Sequence, residues 1–365
     1  MKSNGELYTS VFLHPFRYLR PSVQTEALIF IILLSLHVLL LALTKSYASL
    51  VIVGCALLAS FCADFLGTYA HEKIERNWTD SFEWLSSAIR GILIALLLPS
   101  SFPPVAAFFI TFWVLFINAR ILGGFANSWV NPVAATVAVA WLIGMKFFPE
   151  VALSVTELQS RNPALLLIQN GVFPIHSFDV GVTSFLNKRV FSLFGVSIPD
   201  GYVSLLWDSQ SSIPAFRFNF LTLLSSIVLL ATDVLNPIVP LTFTVVYVLL
   251  VRLVAPFCYN GPFLQGDIIL ALFSSGTLFC TFFLLQWHGT TPFTNRGKFF
   301  YGLIAGLVAF CIVGAGMSPA GCAFTILIMN IASLFIQTVE NRFYQKFTDS
   351  VLMEQIQSVK EGTNA

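Results

Sequence analysis

Long apolar runs, broken by short polar or Gly/Pro-rich stretches, occupy most of the chain. The first are Glu26–Leu43 and Ser49–Gly67, followed by a polar loop from Tyr69 to Trp84. A shorter run, Gly91–Leu98, stops at Pro99, Pro103 and Pro104; Ala106–Leu122 and Pro132–Phe148 come after it. A helix rises about 1.5 Å per residue, so about 20 apolar residues cross a hydrocarbon layer of about 30 Å. Gly91–Leu98 is too short for that alone. It is either a half-helix or the end of a helix reaching back through Ser86 and Arg90. After Phe216 the pattern resumes as Phe218–Ala231, Ile238–Ala255, Asp267–Leu285, Phe299–Gly314 and Gly321–Thr338. It predicts an all-α polytopic membrane protein with five elements in each half, about ten in all. An odd number per half sets the halves in opposite orientations, as two inverted five-helix repeats.

The predicted organisation is an arm at residues 1–23, a first membrane repeat at 24–148, a connecting segment at 149–216, a second repeat at 217–338 and a polar tail at 339–365. The connecting segment is the least apolar long stretch and too long for a plain link, so it is expected to be functional, partly structured or both. About 20 mixed residues precede a first run that is itself long enough to span, so no cleavable signal peptide is expected.

Composition supports this class. Of 365 residues, 56% are hydrophobic and 10% charged, and the mean hydropathy is +0.82. Length alone suggests two or three soluble domains, and this composition overrules it. A net charge of +1 without a long basic run excludes a nucleic-acid partner and leaves the lipid bilayer as the surroundings. With the amino terminus inside, Lys2, Arg17, Arg20, Lys73, Arg76, Arg296, Lys298, Arg342, Lys346 and Lys360 fall on the cytoplasmic side. Lys45, Arg161, Lys188 and Arg189 fall outside, which makes both termini cytoplasmic and the connecting segment extracytoplasmic. The six cysteines form no CxxC pair and read as small buried hydrophobes, and the five histidines have no metal-ligand spacing. Neither a zinc site nor an iron–sulfur cluster is expected on this chain alone.

Candidate chemistry collects at a few points. Gly123-Gly124 and Asn131-Pro132 lie in an uncharged stretch between two membrane-length runs. Glycines without Cβ admit close approach of backbone or ligand, and Asn131-Pro132 has the form of a helix cap with proline at the first helical position. Non-helical backbone at membrane depth is tolerated where protein buries it or it lines a cavity. The stretch therefore reads as the floor of an intramembrane site, the plain alternative being a tight loop. Ionisable groups in spans are costly and usually face a partner or a cavity. Asp64, in an otherwise apolar setting, is a candidate for an ion or proton path. Arg90 is expected to pair with an acid that spacing does not identify, and Asp267 suits a helix start, where the dipole favours an anion.

Several of these stretches resemble one family. Ile121-Leu122-Gly123-Gly124-Phe125-Ala126 through Asn131-Pro132-Val133-Ala134 is similar to a Gly-Gly-x-Gly…Asn-Pro-Ala segment, with Ala126 in place of the third glycine. Arg90-Gly91-Ile92-Leu93-Ile94-Ala95-Leu96 to Pro99, Arg296-Gly297-Lys298, Tyr301-Gly302 and Gly321-Cys322-Ala323-Phe324 to Met329-Asn330 follow in the family's order. The family is that of RnfD and NqrB, membrane flavoprotein subunits of complexes that oxidise ferredoxin or NADH and translocate ions. The resemblance implies a urea-transporter-like architecture in a bacterial cell inner membrane. It also implies other subunits of an Rnf- or Nqr-type complex as partners, and a bound flavin.

In the family FMN is joined through its phosphate to a threonine in Asp-x-x-Ser/Thr-Gly-Ala-Thr. The nearest window is Ser177 to Ser184, where Gly181 and Thr183 fit and Asp179 is out of register. Covalent FMN at Thr183 is one expectation. FMN or riboflavin held without a bond near Gly123, Gly124 and Asn131 is the other. The family's Gly-Glu segment is absent near Ala215-Phe216-Arg217-Phe218, and its Thr-Asp is absent near Leu285-Gln286-Trp287-His288. These departures support a second class of function, a channel-like or small-solute or flavin transporter with the redox role lost. A third is a purely structural subunit of the complex.

Overall fold

The computed structural model describes residues 21–69, 81–121, 130–149, 171, 173–258, 260, 263–264, 266–287, 289–314 and 318–363. The helices of the first half are α1 (Val23–Leu43), α2 (Tyr47–Tyr69), α3 (Ser81–Leu97), α4 (Pro104–Ile121) and α5 (Pro132–Gly144). Shorter helices α6 (Asp179–Arg189) and α7 (Tyr202–Trp207) belong to the connecting segment. The second half holds α8 (Asn219–Ala231), α9 (Ile238–Leu253), α10 (Ile268–Ser274), α11 (Thr277–Phe283), α12 (Asn295–Val313) and α13 (Gly321–Thr363). Among the described residues, four stretches, Val23–Leu43, Tyr47–Gly67, Asn295–Val313 and Gly321–Ser350, are long and apolar enough to cross a membrane. Others, such as Pro104–Ala119 and Ile238–Leu253, are apolar but shorter.

Local chemistry sets where these helices begin. Ser22 caps α1 by accepting the Thr25 amide, and Thr294 caps α12 by accepting the Gly297 amide. The Asn131 side chain accepts the Val133 and Ala134 amides with Pro132 at the first turn, as its sequence suggests. Asp267 caps α10 through the Leu270 amide, again as expected.

Some packing pairs recur between the halves. In the first half α2 lies along α4 and α3, α1 packs on α3, and α4 on α5. In the second, α9 lies along α12, α8 packs on α11, and α12 on α13. The halves meet where α1 touches α8 and α5 touches α13. A continuous apolar core runs from Ala27 to Met329 across both. Close approach is made by glycine. A Cβ on Gly91 of α3 would lie 2.9 Å from the Leu57 Cα of α2. One on Gly306 of α12 would lie 2.9 Å from the Val246 Cβ and 3.0 Å from the Phe243 carbonyl oxygen of α9.

The structure corrects several boundaries. Of the two readings of Gly91–Leu98, the structure bears out the longer, a helix reaching back through Arg90 and Ser86 to Ser81. The element predicted as one piece over Asp267–Leu285 is two, broken at Ser275-Gly276. Gly276 sits at φ 68°, and a Cβ there would overlap the Phe216 ring. The expected boundary at residue 339 is no helix end, because α13 runs unbroken over 43 residues. At about 1.5 Å per residue that is roughly 65 Å, twice a hydrocarbon layer. Polar residues beyond the membrane keep the helix because water tolerates them on any face.

Gly306→Leu is expected to push α12 off α9, with a cost on the order of 1–3 kcal/mol from overpacking. The check is thermal unfolding of the purified protein in detergent, where the variant should melt earlier than wild type. An unchanged melting point would mean the α9–α12 seam has slack.

Candidate functional site

Polar groups inside the bundle gather mainly where the halves meet. Asn131 uses both ends of its amide. Its Oδ1 caps α5 at 3.0 and 3.2 Å, and its Nδ2 donates to the Leu284 carbonyl at 3.1 Å. Its backbone N–H donates to the Asn330 side-chain oxygen of α13 at 2.7 Å, while the Asn330 nitrogen donates to the Ile326 carbonyl. The Tyr301 hydroxyl donates to the next carbonyl, Leu285, at 3.1 Å. These bonds close the carbonyl end of α11 and tie α5, α11, α12 and α13 together.

His37 lies fully buried on α1, edge-on to Phe279 and Phe283. Its Nδ1 is 3.0 Å from the Leu33 carbonyl, which only accepts, so Nδ1 carries a proton. Nε2 faces the Thr222 hydroxyl of α8 at 3.3 Å, a polar contact between the halves.

Below the helix break a cleft of about 10 Å³, room for about one water, is lined by Thr277, Cys280, Thr281, Cys322 and Thr325 among apolar neighbours. That is under the roughly 300 Å³ at which small-molecule pockets begin. Its hydroxyls are already committed: Thr281 donates to the Thr277 carbonyl, Thr325 to the Gly321 carbonyl, and Ser275 bonds Thr277.

A second polar cluster lies between α2 and α3. Arg90, almost fully buried, donates to the Asp64 carboxylate at 2.5 Å, and Ser87 donates to the same oxygen. Arg90 also donates to the Ser86 carbonyl, and the Ser60 hydroxyl to the Ser87 carbonyl. The acid that Arg90 was expected to meet is therefore Asp64. The ion-path candidate carries a neutralising partner.

A third lies in the connecting segment. The Asp179 carboxylate accepts from the Gly201 amide at 2.8 Å, the Ser204 amide and hydroxyl at 2.6 Å each, and the Thr183 hydroxyl at 3.0 Å. Burial works to raise the Asp179 pKa, but the bonds from Ser204, Gly201 and Thr183 together outweigh it and hold the carboxyl below its ordinary range. Tyr202, Leu205, Phe173 and Leu270 form a small apolar cluster that seats this segment on α10, and the Tyr202 hydroxyl donates to Asp267 at 2.9 Å. Arg217 pairs with Asp208 through two bonds, at 2.6 and 2.8 Å.

The sequence-predicted site residues do not converge among the described residues. Thr183 is 2% exposed, on a helix rather than a loop, with its hydroxyl engaged by Asp179. Gly181 faces open space on that helix. Asn131 lies in the bundle with its oxygen on two α5 amides and one N–H on the Leu284 carbonyl, and Gly123 and Gly124 lie outside the described residues. The residues the sequence reading passed over are His37, Thr222, Asn330 and Asp208. The four-residue spacing of Asp179 and Thr183, one helical turn, is a signal of their contact that the sequence offers.

The model of the NQR2, RnfD, RnfE family matches residues 11–345. Relatives named as a subunit of an ion-translocating oxidoreductase complex include one from Mannheimia succiniciproducens, 24% identical over 299 residues, which cover 76% of this chain and 81% of that protein. One from Aliivibrio salmonicida is 24% identical, covering 67% of this chain and 73% of its own. One from Escherichia fergusonii is 26% identical, covering 66% and 73%.

Two outcomes are expected. Because the folded Asp179 pKa is depressed, its stabilisation is fully present above the unfolded value of about 3.9 and is lost as pH falls through the folded one. Limited proteolysis should therefore open residues 171–217 only under strongly acidic conditions, and Asp179→Asn should open them at neutral pH. Separately, Arg90→Leu alone should cost up to about 3–5 kcal/mol by taking the guanidinium away from Asp64, and Asp64→Leu with Arg90→Leu should recover much of that. Shifts of Arg90→Leu and Asp64→Leu in the unfolding midpoint that simply add in the double variant would mean the pair is uncoupled.

Proposed function

The chain belongs to the NQR2, RnfD, RnfE family, and we propose that it serves as a membrane subunit of an ion-translocating electron-transport complex. The observation that carries this reading is the family match over nearly the whole chain, joined to a bundle of apolar helices. Relatives bear the name of one subunit of such a complex, so other subunits are the proposed partners. The proposed location is a bacterial inner membrane.

The architecture in this proposal is a pair of inverted repeats. The recurring pairings, α2 with α4 and α9 with α12, α1 with α3 and α8 with α11, support it. In an inverted pair, a reporter fused after Ala365 and one inserted near Asn187 fall on opposite sides of the membrane. Both reporters on one side would overturn this arrangement.

Ion movement past Asp64 is part of the proposal. With Arg90 already on the carboxylate, an ion would have to displace or share that guanidinium. Flavin carriage is also part of it. FMN or riboflavin, when bound, supplies one- and two-electron transfer. For a phosphoester to form at Thr183, the Thr183–Asp179 bond would first have to open. Non-covalent binding would rest on Gly123 and Gly124. The second reading, a small-solute transporter on the same scaffold, is favoured by the absence of the family's Gly-Glu segment near Arg217, which instead pairs with Asp208.

The test is purification from cells that also make the other subunits and a flavin transferase. The redox reading expects co-purifying subunits and released or in-gel flavin fluorescence. Covalent fluorescence should vanish in Thr183→Ala, while released flavin at unchanged yield in that variant would indicate non-covalent binding. Protein that purifies alone and without flavin would shift the assignment to the transporter.

A further inference from the structure

At one end of the bundle, the end of α1, the start of α2, the turn after α3 and residues 210–217 surround a hollow of about 490 Å³. Lys45, Ser46, Ser100, Ser211, Ser212 and Arg217 supply its polar wall. Lys45 and Arg217 are cationic, and no carboxylate is among the described lining residues. Asp208 behind the wall neutralises one of them, so a single positive charge remains in excess. Asp208 also holds the guanidinium still. It takes Nε and Nη2, and this leaves Nη1 directed at the Ser46 hydroxyl, 2.6 Å away.

Two further features point the same way. The wall includes Tyr47, Ala48 and Ser49, the first turn of the 23-residue helix α2. The first amides of a helix have no carbonyl partner within it, and the helix dipole is positive there. The Ser212 hydroxyl oxygen is buried and has no hydrogen-bond partner, although the Ser212 carbonyl accepts the Ser100 amide at 2.7 Å. A buried hydroxyl left unpaired costs on the order of 1–3 kcal/mol, which an acceptor-rich ligand in the hollow would remove.

We propose that this hollow is a binding site for a phosphate-type anion, either a lipid headgroup or a free phosphate-bearing solute. Fixed donors, hydroxyls and excess positive charge are the chemistry that recognises phosphate oxygens. The volume exceeds that of inorganic phosphate and admits the substituent that a headgroup or a phosphate monoester carries. The site is independent of the electron-transport reading, since neither Thr183 nor Asp64 lines it.

The experiment uses the full chain in nanodiscs of zwitterionic lipid. One arm titrates inorganic phosphate and glycerol 3-phosphate and reads the melting temperature, which rises with ligand bound to the native state. The other adds phosphatidylglycerol and counts lipid retained by native mass spectrometry. Lys45→Glu and Ser212→Ala are run in both arms, with helix content by circular dichroism as the folding control. The expected result is binding in at least one arm, weakened about tenfold or more by each variant, as loss of a charge-assisted bond implies. A response confined to the lipid arm assigns a headgroup, and one confined to the solute arm assigns a free phosphate. Should Lys45→Glu misfold, Ser212→Ala decides, because removing an unpaired hydroxyl should not lower stability. No binding by wild type in either arm, or equal binding by wild type and folded variants, overturns the proposal.

Discussion

Backbone amides and carbonyls inside hydrocarbon have no water to bond, so every helix end at that depth must be closed by protein. Much of the polar chemistry of this chain answers that demand. Asn131 closes the start of α5 and the end of α11 at once. The buried Glu340 of α13 accepts the Phe293 and Thr294 amides and the Thr294 hydroxyl just before α12. Gln337 of α13 donates to the Thr291 carbonyl beside them. Each closure draws its partner from a distant helix, so the same bonds that satisfy the ends also fix how the helices sit together.

This economy changes how candidate ligands are read. A side chain that looks free in a sequence is not free once a helix end or a buried charge has claimed it. The Asn131 amide is spent on three backbone groups, the Thr183 hydroxyl on Asp179, and the Asp64 carboxylate on Arg90 and Ser87. Among the described residues, hydroxyls left over include Thr111 and Ser225 in the bundle and Ser212 beside an exposed lysine. Cys280 and Cys322 follow the same rule. Both are buried, and the Cys322 thiol donates to the Ser275 carbonyl at the helix break.

The break itself shows how one contact organises a region. Phe216, at the end of the connecting segment, lies against Gly276, and the Asn219 side chain donates to the Phe273, Leu205 and Phe216 carbonyls. The connecting segment is thereby locked to the carbonyl end of α10. Asp208 and Arg217, Asp179 and Ser204, and Tyr202 and Asp267 extend that lock outward. The least apolar stretch of the chain is consequently an ordered cap over its described part.

Hydropathy alone determined that the chain is a helical membrane protein and where the apolar parts of its main helices lie. Transfer from water to hydrocarbon depends on local composition, and local composition is written in the sequence. Caps were legible for the same reason, because Asn131 and Asp267 act on amides two or three residues ahead. What only tertiary structure decided was set by partners far along the chain. Arg90 and Asp64 are 26 residues apart, His37 and Thr222 are 185 apart, and Asn131 reaches a carbonyl 153 residues on. The split of Asp267–Leu285 was invisible because an apolar window with one glycine favours a continuous helix until a ring from elsewhere fills the space above it. No periodicity encodes such meetings, since they depend on how helices of similar hydrophobicity choose one another. That choice rests on glycine gaps, buried charges and unpaired backbone ends.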